Sequence, residues 1–302
     1  MLVDKIASNL SLSPAYIAVV ARTASHRYKS YLVKKKTGGY RTINHPAREL
    51  KLLQRWLVEN SLSSLPVHKS ATAYKKGASI YRNAALHRAR NFILKVDFAD
   101  FFPSIRGTDV VRLLRANQDR MAGTVVGSSD IDLVRRLVCR DDRLTIGAPS
   151  SPLLSNLIMF EFDEKWSAIC RESGITYSRY ADDLYFSTNV PNLLEVVLAD
   201  LRRDLARRKS PGLRINEDKT VFTSRKRRRM ITGLVLTPTG EISLGRHRKR
   251  FIKSLVFRNS RNALKAEEIA SLYGTLSYAK SVDPSFIETL RRKYGHAAIG
   301  EP

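Results

Sequence analysis

The stretch RYADDLYFS, residues 179–187, sets two adjacent carboxylates, Asp182 and Asp183, between short apolar runs. Like charges repel, and burying an unpaired carboxylate costs several kcal/mol, on the order of one ion's desolvation penalty. Taken alone, the dipeptide reads most simply as a solvated turn, where Asp is common. A cation site is the other reading, and the surrounding residues decide between them. ITYSRYADDLYFS has the alternation of a hairpin with the acids near its turn.

Upstream, NFILKVDF is a candidate buried strand that delivers Asp97 into the acidic, aromatic ADFFPSI. Asp97 by itself fits a strand end or a cap. A hairpin bearing Asp182 and Asp183 beside a strand ending at Asp97 would instead gather carboxylates in one place. Hard divalent cations such as Mg²⁺ take one or two carboxylates plus substrate phosphates. Phosphoryl transfer by a two-metal route needs ions about 3.5–4 Å apart.

Between these blocks, PSSPLLSNLIMFEFDEKWSAICRES reads as one helix, capped by Ser151, with Pro152 in its first turn and a stop at Gly174. Leu154, Ile158, Phe162, Trp166 and Ile169 mark its core face. Leu194, Val197, Leu198, Leu201 and Leu205 mark a second amphipathic helix, ended by Pro211-Gly212. Short strand-like runs follow around Arg214, Val221 and Ile231 to Leu236. RYKSYLVKKKTGGYRTINHP reads as strand, Gly38-Gly39 turn and strand with cations at the tip. The last sixty residues are helical in pattern and rich in Arg and Lys.

The 302 residues carry 53 Lys and Arg against 28 Asp and Glu, a formal net charge of +25. So large an excess points to a polyanionic partner, nucleic acid before membrane, because the cations do not gather on one amphipathic helix beside an anchor. No apolar run approaches the roughly 18 residues that span a bilayer. MLVDKIASNLSLSP lacks the basic start and apolar core of a signal peptide. Cys139 and Cys170 are the only cysteines. They provide neither a disulfide framework nor zinc spacing, and are expected in the core of a cytoplasmic protein.

Four blocks in order carry a resemblance. Tyr180-Ala181-Asp182-Asp183 resembles the Y-x-D-D motif of reverse transcriptases. KVDFADFFPSI resembles their first palm motif, GAPSSPLLSNLI the motif lining the nucleotide and template site, and INEDKT the following lysine motif. The resemblance spans about residues 30 to 240, and the ordered set is far more specific than any one block. Asn83-Ala84-Ala85-Leu86-His87 is similar to the N-A-x-x-H motif of retron reverse transcriptases. Ile231-Thr232-Gly233 resembles their V-T-G triplet with Ile in place of Val. Read without the polymerase motifs, His87 fits a hydrogen-bonded helix residue and Thr232-Gly233 a strand bulge.

The resemblance implies an α+β right-hand polymerase fold, with a palm built on an antiparallel sheet and a helical thumb. Residues 1–91 would form fingers, 92–107 and 147–238 palm, 108–146 their connection, and 239–302 thumb. It implies two Mg²⁺ ions held by Asp97, Asp182 and the Phe98 carbonyl, with Asp183 in support and Lys219 assisting pyrophosphate departure. Asp100 is left a local hydrogen-bonding role. Arg41 would grip the incoming dNTP triphosphate, with Lys36 a poor substitute for an upstream lysine. Phe102 would be the gate against a ribose 2′-OH, and Pro149 and Ser150 would line the nucleotide site. Tyr180, Gly233, Arg246, Arg248, Lys249 and Arg250 would meet primer and template. Asn83, His87 and Thr232 would recognise the retron RNA. Of the basic run 224–230, some cations should face solvent, and Phe251, Phe257 and Tyr273 should be thumb core.

The implied activity is that of a retron reverse transcriptase. It would copy a cognate structured non-coding RNA into single-stranded DNA from an RNA 2′-OH, in antiphage defence with an effector on another chain. No fused effector domain is expected. Another reverse transcriptase class, intron-encoded or diversity-generating, and a catalytically silent RNA-binding protein are the alternatives.

Overall fold

The computed structural model describes residues 1–35, 38–121, 123–125 and 127–300, so Lys36 lies outside the described residues. Two short helices, α1 (Leu2–Leu10) and α2 (Pro14–Arg22), open the chain. Ser13 caps α2, its hydroxyl accepting from the Tyr16 N–H at 3.2 Å, and Pro14 takes the first helical position, where a missing N–H costs nothing. An exposed hairpin follows, β1 (Tyr28–Lys34) with β2 (Tyr40–Pro46), as the glycine turn indicated. Then come α3 (Arg48–Asn60) and α4 (Ile80–His87), the latter capped by Ser79.

The central sheet begins with β3 (Phe92–Ala99). Its alternation sends Leu94, Val96 and Phe98 into one core and Ile93 into another, so Lys95 and Asp97 share the Ile93 face. After α5 (Phe101–Ser104), α6 (Gly107–Ala116) and α7 (Ser128–Val138), the helix expected over the PSSP block is two helices, α8 (Ser151–Ile158) and α9 (Phe160–Glu172). The break is at Met159, whose φ of −82° and ψ of 1° leave the α region. It rotates the second segment's buried face, so Ile169 is 37% exposed instead of lying in the core. Ser151 is the first helical residue, and its hydroxyl accepts from the Thr145 N–H at 3.3 Å instead of capping.

The remaining palm elements are β4 (Thr176–Tyr180), β5 (Asp183–Thr188), α10 (Leu193–Arg207) and β6 (Arg214–Ser224). The last is one continuous strand where two runs were expected. The sheet order is β4-β5-β3-β6 with every pair antiparallel. A second sheet, β7 (Arg229–Ile231), β8 (Leu234–Leu236) and β9 (Ile242–Ser243), leads to α11 (Arg246–Ser260), α12 (Ala266–Val282) and α13 (Pro284–Tyr294).

Two cores organise these elements. The larger joins the N-terminal helices, α6 to α10 and one face of the central sheet. The smaller joins Tyr185 and Ile93 on the other face with β7–β9 and α11–α13. The boundary expected after residue 238 therefore falls inside the β7–β9 sheet. One expectation is corrected here. Phe251, Phe257 and Tyr273 are 54%, 48% and 41% exposed, because Ile252, Val256, Leu272 and Leu276 take the inward positions. Arg229, from the basic run, is buried with its guanidinium donating to the carbonyls of Arg90 and Thr237. Among the described residues no helix is long and apolar enough to cross a membrane.

Candidate active site

Antiparallel pairing sets Asp97 directly opposite Asp183, and the two-residue turn before Asp183 carries Asp182 over the end of β3. Ala181 enters that turn at φ 58°, and the Phe98 N–H donates to the Asp182 carbonyl at 3.1 Å, tying the turn to β3. Burial raises the Asp182 carboxyl pKa, and the nearby Asp97 charge raises it further. The Lys219 ammonium, reaching across from β6, donates to Asp97 Oδ1 at 2.9 Å, and that contact holds its own pKa up.

Asp183 is differently placed. Its carboxylate pairs with Lys95 at 2.8 Å and accepts from the Tyr185 hydroxyl at 3.0 Å. Burial nevertheless pushes its pKa up to about 6. Among the described residues no three His, Cys, Asp or Glu side chains gather to hold a metal ion. The chain brings two oxygen-donor carboxylates, Asp97 and Asp182, into mutual repulsion. That donor set fits a hard divalent cation completed by substrate phosphate oxygens. Asp100 is exposed at φ 47°, and its carbonyl accepts from the Ser104 N–H at 2.9 Å.

The turn rests on a buried ion pair absent from the sequence reading. Arg179 and Asp163 are both fully buried and meet at 2.6 Å, and Tyr177 donates to the same carboxylate. The remaining guanidinium nitrogen donates to the Ala181 carbonyl and to Asn156, each at 3.1 Å. Thus α9 holds the Asp182-Asp183 turn from beneath. The alternation of strand residues could have placed Lys95 beside Asp97; nothing in sequence spacing pairs Arg179 with Asp163.

The N-A-x-x-H residues sit elsewhere than expected. Asn83 and His87 are fully buried. His87 Nδ1 lies 2.7 Å from Ser187 Oγ and Nε2 lies 2.8 Å from Ser178 Oγ. Ser178 Oγ also lies 2.7 Å from Asn83 Oδ1, so His87, Ser178 and Asn83 form one buried polar network. Burial drives the His87 pKa down to about 3 and keeps it neutral. These side chains have no surface to offer an RNA; the assignment to RNA recognition is corrected to a clamp on β4 and β5.

Thr232 and Gly233 form the two-residue turn between β7 and β8, at φ 47° and 81°, the left-handed pair such hairpins require. Thr232 also points inward. Its hydroxyl donates to the Ile80 carbonyl at 3.1 Å, and its N–H donates to the Tyr185 hydroxyl at 3.1 Å. A relay therefore runs from this turn through Tyr185 to Asp183. Gly233 is exposed, and Tyr180 is half-buried against the smaller core.

On the open side, Arg41 is exposed on β2. Its hairpin is bonded to the PSSP block by the Asn44 N–H, which donates to the Ile146 carbonyl at 2.8 Å. Gly147, at φ 108°, is required there, since a Cβ would stand 2.6 Å from the Asn44 carbonyl. Phe102 is half-buried against Phe101. Pro149 is half-buried, whereas Ser150 is fully buried, its hydroxyl without a hydrogen-bond partner among the described residues. On α11, Lys249 pairs with Asp283 at 2.6 Å and Arg248 donates to the Tyr278 hydroxyl at 2.8 Å, which leaves Arg246 and Arg250 exposed.

The chain is similar to known proteins along most of its length. Residues 33–236 match the family of reverse transcriptases (RNA-dependent DNA polymerases). The chain is 36% identical to the retron Ec83 reverse transcriptase of Escherichia coli, over 94% of this chain and 91% of that protein. It is 36% identical to the retron Ec73 reverse transcriptase of the same species, over 88% and 86%. Among solved structures, telomerase from Candida albicans, in complex with a fragment of telomeric RNA, superposes with a TM-score of 0.51 at 14% identity. It covers 96% of this chain and 59% of that one, a likeness of fold alone.

Proposed function

This chain belongs to the retron reverse transcriptases and is an RNA-directed DNA polymerase of right-hand fold, and on that premise we propose that it copies part of a cognate structured non-coding RNA into single-stranded DNA. Synthesis would begin on a 2′-OH of that RNA and leave a branched RNA–DNA product. The observation that carries this reading is the pair Asp97 and Asp182, held in repulsion at the β3 end with Lys219 alongside.

Enzymes of this family work with divalent metal ions. Asp97, Asp182 and the Phe98 carbonyl would hold two Mg²⁺ ions, which would supply charge neutralisation for the transferring phosphoryl group. Asp183, fixed by Lys95 and Tyr185, keeps the turn in register and adds negative potential. Lys219, held beside Asp97, is the acid that would protonate the departing pyrophosphate. Arg41 presents a guanidinium fork to the dNTP triphosphate. Pro149 borders the base and Phe102 the sugar, while Tyr180, Gly233, Arg246 and Arg250 meet primer and template.

An RNA partner is supported by the +25 net charge and by relatives of the retron class. We place its work in the cytoplasm, in antiphage defence with an effector on a separate chain. The test is to purify the protein from its host and analyse the bound nucleic acid. An RNA-linked single-stranded DNA that vanishes in Asp182→Ala supports the proposal; RNA alone, with no metal-dependent extension, overturns it.

A further inference from the structure

Tyr74 lies in the loop between α3 and α4 and belongs to none of the motifs. Its backbone is left-handed, at φ 57°, a conformation that a bulky side chain rarely adopts. The loop is stitched to the strand that carries the catalytic turn. The Thr72 N–H donates to the Arg179 carbonyl at 2.7 Å and the Arg179 N–H to the Ser70 carbonyl at 2.8 Å. The Ala73 carbonyl accepts from Asn156 at 2.9 Å. Tyr74 therefore projects from a fixed base, and its ring remains 44% exposed.

That ring faces the expected sugar gate. The centroids of Tyr74 and Phe102 are 6.4 Å apart with planes tilted by 45°. Burial raises the phenol pKa, the charge of Asp182 raises it further and Arg41 acts in the opposite sense, so both charged groups lie near the ring. A nucleotide with its triphosphate at Arg41 and its reacting phosphate at Asp182 would carry its sugar past both rings. Glycine would take this backbone without strain, so what the position gains from tyrosine is the ring.

We propose that Tyr74 continues the wall of the sugar slot beside Phe102 and is a specificity-determining residue that excludes ribonucleotides. The inference rests on the reading of Phe102 as the gate. Two rigid rings leave C2′ no room for an added oxygen, whereas one ring can be skirted. An apolar pocket rejects an added hydroxyl by up to about a hundredfold.

The test uses the full chain, an RNA template with a DNA primer, Mg²⁺, and single-nucleotide extension with dNTP or the matching rNTP. Tyr74→Gly removes the ring but suits the left-handed backbone, so its melting temperature should not fall. Its selectivity, the ratio of kcat/KM for dNTP to that for rNTP, should drop at least about tenfold. Tyr74→Phe should restore the wild-type ratio, since the ring and not the hydroxyl is the wall. An unchanged ratio in a folded Tyr74→Gly, with Phe102→Ala relaxed, overturns the role of Tyr74 alone. An unchanged ratio in both variants overturns the Phe102 gate with it. Loss of selectivity in both Gly and Phe variants also overturns the wall, because the hydroxyl would then be the determinant.

Discussion

The imidazole of His87 meets the hydroxyl of Ser178 at 2.8 Å inside the protein, while its other nitrogen holds Ser187 on the neighbouring strand. One helix residue thereby fixes the spacing of the two strands that carry the Asp182-Asp183 turn. His87→Ala should cost about 2–4 kcal/mol, from two lost buried hydrogen bonds and the cavity left behind. Polymerase activity should fall with it. Urea melts and RNA-binding titrations check this: a variant with wild-type stability but selectively weakened RNA binding would contradict the clamp.

The same residue makes stability depend on pH. His87 titrates near 6.5 in the unfolded chain and at about 3 when folded. Between those values the unfolded state binds the extra proton, so its contribution is intact above about 6.5 and declines as pH falls towards 3. The decline approaches about 1.4 kcal/mol per pH unit well inside that window. Urea melts from pH 7.5 to 4 should show a shallower acid loss for His87→Gln than for the wild type. Parallel slopes would be the contrary result.

Asp182→Asn should abolish primer extension, with a loss beyond about a thousandfold expected for a group that stabilises transferring phosphoryl charge. Because burial and Asp97 both disfavour its charge, the variant should melt no lower than the wild type. Extension assays beside thermal melts check both halves. Retained synthesis would remove Asp182 from the chemistry.

Breaking the buried pair beneath the turn should be among the most damaging changes to the fold. Arg179→Met and Asp163→Asn each strand an uncompensated partner, and each should cost about 3–5 kcal/mol. Replacing both by apolar residues should recover part of that cost, which a double-mutant cycle measures.

The cations of α11 should separate by their contacts. Arg246→Ala and Arg250→Ala should weaken nucleic-acid binding, each reducing the salt slope by about one. Lys249→Ala should instead lower the melting temperature, since it frees the buried Asp283. Binding isotherms at several salt concentrations distinguish the two behaviours.

Much of the candidate site's placement was legible along the chain because it follows local rules. Strand alternation around Asp97 and the hairpin ending at Asp182 and Asp183 require only neighbouring residues, and the antiparallel sheet then brings them together. The hairpin of Arg41 and the basic terminal helices were likewise readable from turn residues and charge. The split between α8 and α9 was not, because an unbroken helical pattern carries no sign of a one-residue break at Met159.

By itself the sequence determined which residue types are present for phosphoryl transfer and on which strands they ride. Only the tertiary structure decided what the short motifs do. Asn83 and His87 look like recognition residues on paper, yet burial turns them inward to Ser178 and Ser187, and half-buried Thr232 bonds Ile80 and Tyr185. Only the folded chain pairs Arg179 with Asp163 and sets Tyr74 against Phe102. The reason is physical: a polar side chain's role depends on whether water or protein satisfies it, and that is settled by packing between segments far apart in sequence.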